Sequence, residues 1–309
     1  MHIAVYLPLL APITAALFAE RLSRRLAPRL ATWLLTASAV LLAGAWIVVL
    51  SLLVIVGLIQ IPVVARLAEV SPRLLREGEP PSVAAAVTAF VVWVVALTAA
   101  GRAARRRIRG LLAASEQARD LAGNGDLVII EDDMVADAFT LPGRPGRIVV
   151  STGMLAALDE PQRAVLLAHE RAHLRSHHHR FSTAAQLAAA ANPLLRPLAR
   201  AVAFTIERWA DEAASEACGD RRLVARTVAN AATARARLAQ RTSPGIALGM
   251  ADDLDHAGPV PRRVAALLSD PPRRRLNLVL CTASLVAGTG FCALDAVSDL
   301  GELIVRARG

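Results

Sequence analysis

The chain has no lysine, so arginine supplies all 35 of its basic side chains, against 26 acidic residues in 309. Aromatic residues are scarce (4%), and the three cysteines are too few for the disulfide framework of a small secreted protein. Hydrophobic residues, in contrast, make up 55% of the chain, and the mean hydropathy is +0.45. This composition excludes a disordered protein and an ordinary soluble one.

Long uncharged stretches account for the high hydropathy. They cover residues 3–19, 31–65, 83–100 and 276–294, and each approaches or exceeds the length of a bilayer crossing. The first stretch lacks a basic segment before it and is followed at once by arginines, which favours a membrane helix over a signal peptide. The second would be about 50 Å long as one helix, so it predicts a crossing with tilt, projection or re-entry.

Arginines flank three of these stretches, and their distribution predicts a topology. The twelve flanking arginines are Arg21, Arg24, Arg25, Arg29, Arg102, Arg105, Arg106, Arg107, Arg109, Arg273, Arg274 and Arg275. Positive charge collects on the cytosolic side of membrane proteins, so all three flanks are predicted to be cytosolic. The prediction is a multi-pass cell-membrane protein with four crossings and both termini outside.

This topology predicts three parts. Residues 1–100 hold three transmembrane helices, residues 101–275 form a cytosolic domain, and residues 276–309 hold the fourth helix and a short external tail. A basic chain could instead bind nucleic acid, but these arginines adjoin apolar stretches and form no recognisable recognition helix. We therefore expect contact with the lipid bilayer and no direct binding of nucleic acid.

The segment between the third and fourth stretches predicts an α+β domain that is mainly helical. A helical pattern over residues 102–121 is followed by three strand-like pieces at residues 127–131, 136–141 and 147–151, with a Pro- and Gly-rich turn before the last. From Glu160 onward the pattern is helical again. A small sheet covered by helices is the arrangement that this order favours.

The helix that begins near Glu160 contains an H-E-x-x-H motif. His169 and His173 are four residues apart, so both imidazoles project from one helix face and can bind one zinc ion. Glu170, beside the first histidine, is placed to deprotonate a water held by the metal. The alternative is an exposed polar helix face with no metal.

A second helical segment supplies two acids at the same spacing. Glu207 follows His173 by 34 residues, and Asp211 lies one helical turn further on. A catalytic zinc site with two histidines needs a third protein ligand, which Glu207 can supply. Asp211 can accept the outer N–H of a ligating histidine and fix its tautomer. The alternative is that both acids pair with a nearby arginine, Arg208 or Arg221.

These motifs resemble those of the membrane-embedded gluzincin zinc metallopeptidases, over roughly residues 80–296. That group includes HtpX, the CAAX-processing endopeptidases and the BlaR/MecR-type sensor-transducer peptidases, whose order of crossings and zinc domain is the most similar. The matching pieces are Ala138-Phe139 with Leu141-Pro142, the strand Arg147–Ser151, His169-Glu170-x-x-His173, Asn192-Pro193-Leu194 and Glu207-x-x-x-Asp211. The resemblance implies one Zn²⁺ per chain, bound by His169, His173 and Glu207, with Glu170 as general base.

The chain departs from the sensor-transducer pattern in two places. Only a short tail follows the last stretch, where that branch carries a large extracellular sensor domain. Ala210 stands where the branch commonly has a cysteine. The first departure argues against β-lactam sensing, and the second is expected to be neutral for metal binding.

Further catalytic residues are predicted around this motif. His256 and Arg263 loosely resemble the His-Pro…Arg segment of HtpX-type members and are candidate oxyanion donors, although Ala257 replaces the proline. The strand with Ala136, Ala138, Phe139 and Leu141 is a candidate to pair with substrate backbone, or it is an ordinary sheet edge.

Two further segments have open interpretations. His177 continues the spacing of the motif histidines and is either near the metal or at an exposed helix end. The apolar residues 181–195 either pack in the domain core or lie against the inner leaflet.

We therefore predict a membrane-anchored zinc endopeptidase that hydrolyses protein substrates at the cytosolic face, with a zinc-bound water activated by Glu170. The resemblance implies a transcriptional repressor or a membrane protein as substrate. The alternative is a signalling or scaffold membrane protein whose zinc domain is structural or inactive. An intact Glu170 argues against that alternative, because a structural zinc site needs no base.

Overall fold

A computed structural model describes residues 7–67, 82–120, 125–242 and 259–270, together with some of the residues between 280 and 298. The chain is mainly helical with one small sheet, which confirms the predicted α+β composition. His256, a predicted catalytic residue, and most of the predicted fourth crossing lie outside the described residues.

Four helices are described between residues 7 and 120. They are α1 (Leu7–Arg25), α2 (Pro28–Ile59), α3 (Pro62–Leu67) and α4 (Val83–Asp120). Pro28 stands in the first turn of α2, where its missing N–H leaves no bond unmade. Pro62 interrupts the second apolar stretch, since proline fits the start of a helix and not its interior. The second apolar stretch is therefore divided between α2 and α3, and the single crossing over residues 31–65 stays a prediction.

Two described helices, α2 and α4, are long and apolar enough to cross a membrane, with mean hydropathies of 2.9 and 2.3 over their most apolar windows. Within those windows, 44% of the α2 residues are buried inside the protein but only 11% of the α4 residues. The helix α1 is not among the two, although it contains most of the first apolar stretch. Two such helices are fewer than the four crossings predicted, and the described residues do not include a complete fourth stretch.

The sheet has three strands, β1 (Leu127–Ile130), β2 (Ala138–Leu141) and β3 (Arg147–Ser151), in the order β1-β3-β2. β3 lies in the centre and is buried along its whole length. It pairs parallel with β1 and antiparallel with β2, as the predicted hairpin requires. The strand β2 is therefore an edge strand, and it is two residues shorter at its start than predicted.

Six helices are described between residues 152 and 270, after the sheet, and His169, His173, His177 and His178 lie on or between two of them. They are α5 (Thr152–Ala156), α6 (Glu160–Arg175), α7 (His178–Ala191), α8 (Arg196–Cys218), α9 (Arg221–Thr242) and α10 (Pro259–Leu268). A capping box starts α6, in which Asp159 accepts the backbone N–H of Gln162 and the Gln162 side chain accepts that of Asp159. The cap satisfies two free donors and sets where the helix carrying the motif begins.

The largest apolar core joins the N-terminal helices to the later ones. Residues of α1, α2, α7 and α8 pack together there. The Thr32 hydroxyl of α2 donates to the Thr205 hydroxyl of α8 at 3.0 Å, and Arg208 of α8 donates to the Ser23 carbonyl of α1 at 2.6 Å. Phe181 lies in this core and meets the edge of the Trp33 ring. Of the two interpretations of residues 181–195, the structure therefore supports packing in the core.

The predicted domain boundary between residues 100 and 101 lies inside α4. The third apolar stretch and the arginine-rich segment after it form one continuous helix of 38 residues, about 57 Å long at the usual rise. No Gly-Pro pair or cap interrupts this helix at the boundary. The division of the chain into residues 1–100, 101–275 and 276–309 remains a prediction.

Candidate metal centre

The helix α6 presents the H-E-x-x-H residues to the interior. The side chains of His169 and His173 are 13% and 15% exposed, and Glu170 is 8% exposed. The two histidine Nε2 atoms lie 3.1 Å apart, as expected for residues one helical turn apart on one face. The alternative of an exposed polar helix face is therefore wrong.

The helix α8 brings Glu207 to these two histidines. Its Oε2 lies 3.6 Å from His169 Nε2, and its Oε1 lies 3.6 Å from His173 Nε2. One donor atom from each of the three residues lies within 4.8 Å of the other two, so together they could hold a metal ion. The contact between α6 and α8 brings together two sequence motifs that are 34 positions apart.

Asp211 lies behind His169. Its Oδ1 is 3.1 Å from His169 Nδ1, and the side chain is 2% exposed. When the Nδ1–H of neutral His169 donates a hydrogen bond to Asp211, the lone pair of the imidazole is on Nε2. This atom faces His173 and Glu207. A buried carboxylate in this position fixes both the tautomer and the orientation of the ring.

Arg263 of α10 joins the two carboxylates. Its Nε and Nη2 donate to the two oxygens of Asp211 at 2.8 and 2.7 Å, and its Nη1 lies 2.9 Å from Glu207 Oε2. The Asp211 pair is bidentate, the strong geometry for an arginine and a carboxylate. The structure thus brings Arg263 to the centre in contact with these two acids, while its role as an oxyanion donor stays a prediction. Arg208 and Arg221 do not take this place.

The sequence did not single out His178, the histidine that contacts His173. The two Nδ1 atoms are 3.0 Å apart, and the buried His178 ring lies on Trp209 at a centroid distance of 4.7 Å. His177 instead is exposed, with φ of 50°, just before α7. The three consecutive histidines after the motif indicated that one of them could contact the centre. The four-residue spacing of the motif histidines, however, predicted His177 rather than His178.

Electrostatics favour a positive charge among these groups. Burial alone would lower the pKa of His169, but the hydrogen bonds and negative charges of Asp211 and Glu207 outweigh it and raise the pKa to about 10. Burial and the neighbouring His169 charge lower the pKa of His173 to about 3. Burial alone would raise the pKa of Glu207, but His169 and Arg263 hold it well below its usual range. Only one of the two facing imidazoles therefore carries an extra proton.

This arrangement fits a divalent cation. Three carboxylates, those of Glu170, Glu207 and Asp211, meet at this centre, and one guanidinium, that of Arg263, contacts two of them. When all are ionised, their charges leave an excess of two negative charges, which one divalent ion compensates. Two imidazoles and a carboxylate that leave an open position are also the donor set of catalytic zinc sites. A metal ion would displace the proton that His169 otherwise holds.

A cavity of about 350 Å³ adjoins the donors. The walls opposite the donors are mostly apolar, from α5, α6 and α9, and β2 contributes Ala138, Phe139 and Thr140. Burial raises the pKa of Glu170, which lines the same space. Of the four predicted substrate-strand residues, Ala138 and Phe139 therefore reach the cavity, whereas Ala136 and Leu141 are buried and do not line it.

Comparison with known proteins gives a family for part of this arrangement. Residues 102–191 match the model of peptidase family M48. The match covers the second half of α4, the sheet, α6 and α7, and it ends before Glu207, Asp211 and Arg263. No curated protein and no solved structure shows a significant match. The chain therefore carries, over residues 102–191, a domain of peptidase family M48, a family of zincin-type metallopeptidases.

Proposed function

We propose that this protein is a membrane-anchored zinc endopeptidase that cleaves protein substrates with Glu170 as general base. The observation that carries the proposal is the convergence of His169, His173 and Glu207 beside a cavity that Glu170 also lines. The family match supports peptidase chemistry. Imidazole and carboxylate donors with an open position favour zinc over a hard cation such as Mg²⁺ or Ca²⁺, which prefers oxygen ligands.

The mechanism assigns proton transfer to Glu170. A bound zinc ion would polarise the scissile carbonyl and acidify a nearby water. Glu170 accepts the proton of the attacking water and then delivers it to the leaving amine. Burial raises its pKa, which suits a residue that must both take and give a proton near neutral pH.

Asp211 and Arg263 have positioning roles in this mechanism. Asp211 keeps the Nε2 lone pair of His169 directed at the metal position. Arg263 holds both Asp211 and the carboxylate of Glu207 in place, so that Glu207 does not need to reorganise when the metal binds. An oxyanion donor is still required, and the proposal leaves His256 and Arg263 as candidates.

The edge strand β2 is the proposed docking element for substrate backbone. It pairs with β3 along one side only, so its other backbone groups face away from the sheet. Phe139, 41% exposed, and Thr140 line the cavity at this edge. A peptide added as a fourth strand would pass beside Glu170, with backbone hydrogen bonds that tolerate many sequences.

Membrane anchoring is proposed from the apolar helices and the arginine flanks. The helices α2 and α4 are long and apolar enough to span, and α4 leads from its apolar half directly into five arginines. Positive-inside reasoning supports a cytosolic peptidase domain with both termini outside. Reporter fusions after Arg109 and after Gly309 test this topology, and a reporter that places residue 109 outside contradicts it.

The activity test uses the purified full-length chain. We expect one zinc ion per chain and cleavage of casein or of the chain itself. The variant Glu170→Gln should keep zinc and lose at least about 100-fold in rate, because general base catalysis contributes about 10²–10⁴. The control Glu160→Gln makes the same change at an exposed position on the same helix.

The outcomes of this test separate the peptidase from the scaffold or signalling protein and check the role of Glu170. Zinc binding with no cleavage by the wild type would favour a scaffold or signalling protein. Absence of stoichiometric zinc would contradict both. Equal rates for the wild type and Glu170→Gln would contradict the assigned base.

A further inference from the structure

A second cavity, of about 760 Å³, lies between α4, α7 and α8, away from the metal centre. Four exposed arginines line it: Arg106 and Arg107 from α4, and Arg196 and Arg200 from the first two turns of α8. The rest of its wall is Gln186, Leu187 and alanines. No residue of its lining is acidic.

The charge of this cavity is not neutralised within the part of the chain that the structure describes. None of the four arginines forms an ion pair with another of the described residues. The first turn of α8, which begins at Arg196, also has no acidic residue to offset the partial positive charge of a helix N-terminus. Four guanidinium groups therefore line one open space.

The position of the cavity relative to the apolar half of α4 indicates the kind of anion. Uncharged residues of α4 continue to Gly101, and Arg106 follows Ala100 by six residues, or about 9 Å along the helix axis. The headgroup layer of a bilayer extends roughly 5–8 Å beyond the hydrocarbon core on each side. If the apolar half of α4 spans the membrane, the α4 wall of the cavity begins at Ala103, about 4.5 Å beyond Ala100 and within the headgroup layer. The long side chains of Arg106 and Arg107 can reach back into this layer.

We propose that this cavity binds the phosphate-bearing headgroup of an anionic phospholipid; the proposal rests on the membrane anchoring put forward above. A guanidinium group can donate two parallel hydrogen bonds to two oxygens of one phosphate. Basic pockets beside membrane helices bind negatively charged lipid headgroups. The alanine and leucine wall accommodates the glycerol and the first methylenes of a lipid, whereas a nucleic acid would need a longer basic surface. The volume also exceeds what one phosphate ion needs.

The test measures lipid binding to the full-length protein in an uncharged detergent, by native mass spectrometry with phosphatidylglycerol and phosphatidylcholine. Arg106→Gln/Arg200→Gln removes two arginines of the cavity. The matched control, Arg102→Gln/Arg109→Gln, removes the same amount of charge from the basic segment of α4, but its residues do not line the cavity. Melting temperatures without lipid check that both variants fold.

We expect saturable binding of phosphatidylglycerol in preference to phosphatidylcholine. The cavity variant should bind it about 30-fold more weakly, since each basic residue near an anionic membrane surface contributes about fivefold. The control should lose much less. Equal losses in the two variants would overturn the proposal and indicate diffuse attraction only.

Two further measurements distinguish a lipid headgroup from a soluble phosphate or a nucleic acid as the ligand of the cavity. If inorganic phosphate displaces the lipid at equal concentration, the cavity is a site for a soluble phosphate and the proposal fails. If duplex DNA binds and only the cavity variant loses that binding, the surface is a nucleic-acid site and the proposal also fails.

The lipid result is independent of the peptidase activity. The measurement needs no substrate and can be repeated with Glu170→Gln. Selective lipid binding by an inactive protein would therefore support the lipid site even if the proposed peptidase function fails. Carbonate extraction of membranes tests the anchoring itself. Release of the chain by carbonate would contradict the proposed anchoring and with it the lipid site.

Discussion

Replacing Asp211 by asparagine tests how the metal centre is held. The change keeps the shape of a side chain that is 2% exposed and removes one negative charge. The excess negative charge of the centre falls from two to one, so a divalent ion is compensated less well. The His169 Nδ1 proton also loses a charged acceptor at 3.1 Å. Loss of such an outer carboxylate costs about 10–100-fold in metal affinity, or about 1.4–2.7 kcal/mol.

The assay is zinc competition with a chromogenic chelator at neutral pH. The control Glu212→Gln makes the same change at the next residue of α8, where the side chain pairs with Arg221. We expect a loss of zinc affinity for Asp211→Asn and none for the control, with similar melting temperatures for both. Equal zinc affinity of the two variants would refute the assignment of Asp211 as the residue that orients His169.

A second measurement separates an electrostatic role from a structural one. Asp211 and Glu207 raise the pKa of His169 to about 10 in the metal-free protein, against the effect of burial. Without the Asp211 charge this pKa should fall, so that His169 loses its proton at lower pH. Histidine NMR titration of the metal-free variant measures the shift, and an unchanged pKa would contradict the charge assignments.

Three further results are expected. His178→Phe should lower zinc affinity about tenfold, because the Nδ1 partner of His173 is lost, whereas His177→Asn at the exposed position should not. Cleavage should decline with falling pH at values above 4.5, the ordinary pKa of a glutamate, because burial raises the pKa of Glu170 and protonation removes the base. Thr32→Val should cost about 1 kcal/mol of unfolding free energy by removing a hydrogen bond from α2 to α8, as measured by denaturation in detergent. Thr36→Val should be neutral or stabilising, because that buried hydroxyl has no partner among the described residues.

The residues that form the candidate metal centre could be predicted where the information is local. The spacing of His169 and His173 places them on one face of any helix that contains both, and the same holds for Glu207 and Asp211. The helical pattern from Glu160 and the turn between β2 and β3 are also short-range features, which explains why the helix start and the hairpin were placed correctly.

The choice among the histidines after the motif could not be predicted in the same way. Continuing the spacing of the motif selects His177, but α6 ends at Arg175 and His177 adopts a left-handed conformation. The next helix, α7, begins at His178 and does not continue the rotation of α6, so His178 rather than His177 contacts His173. A break of two residues in a helix was enough to change which side chain contacts the centre.

The sequence by itself determined the helical and apolar character of the chain and the pairs of donors, because periodicity and charge are properties of neighbouring residues. Tertiary structure decided that α1 and α2 share a core with α7 and α8, and that Arg263 meets Asp211 from 52 residues away. It also brought four arginines from two distant segments around one cavity. These contacts depend on how helices pack against each other, which the spacing of residues within a single helix does not specify.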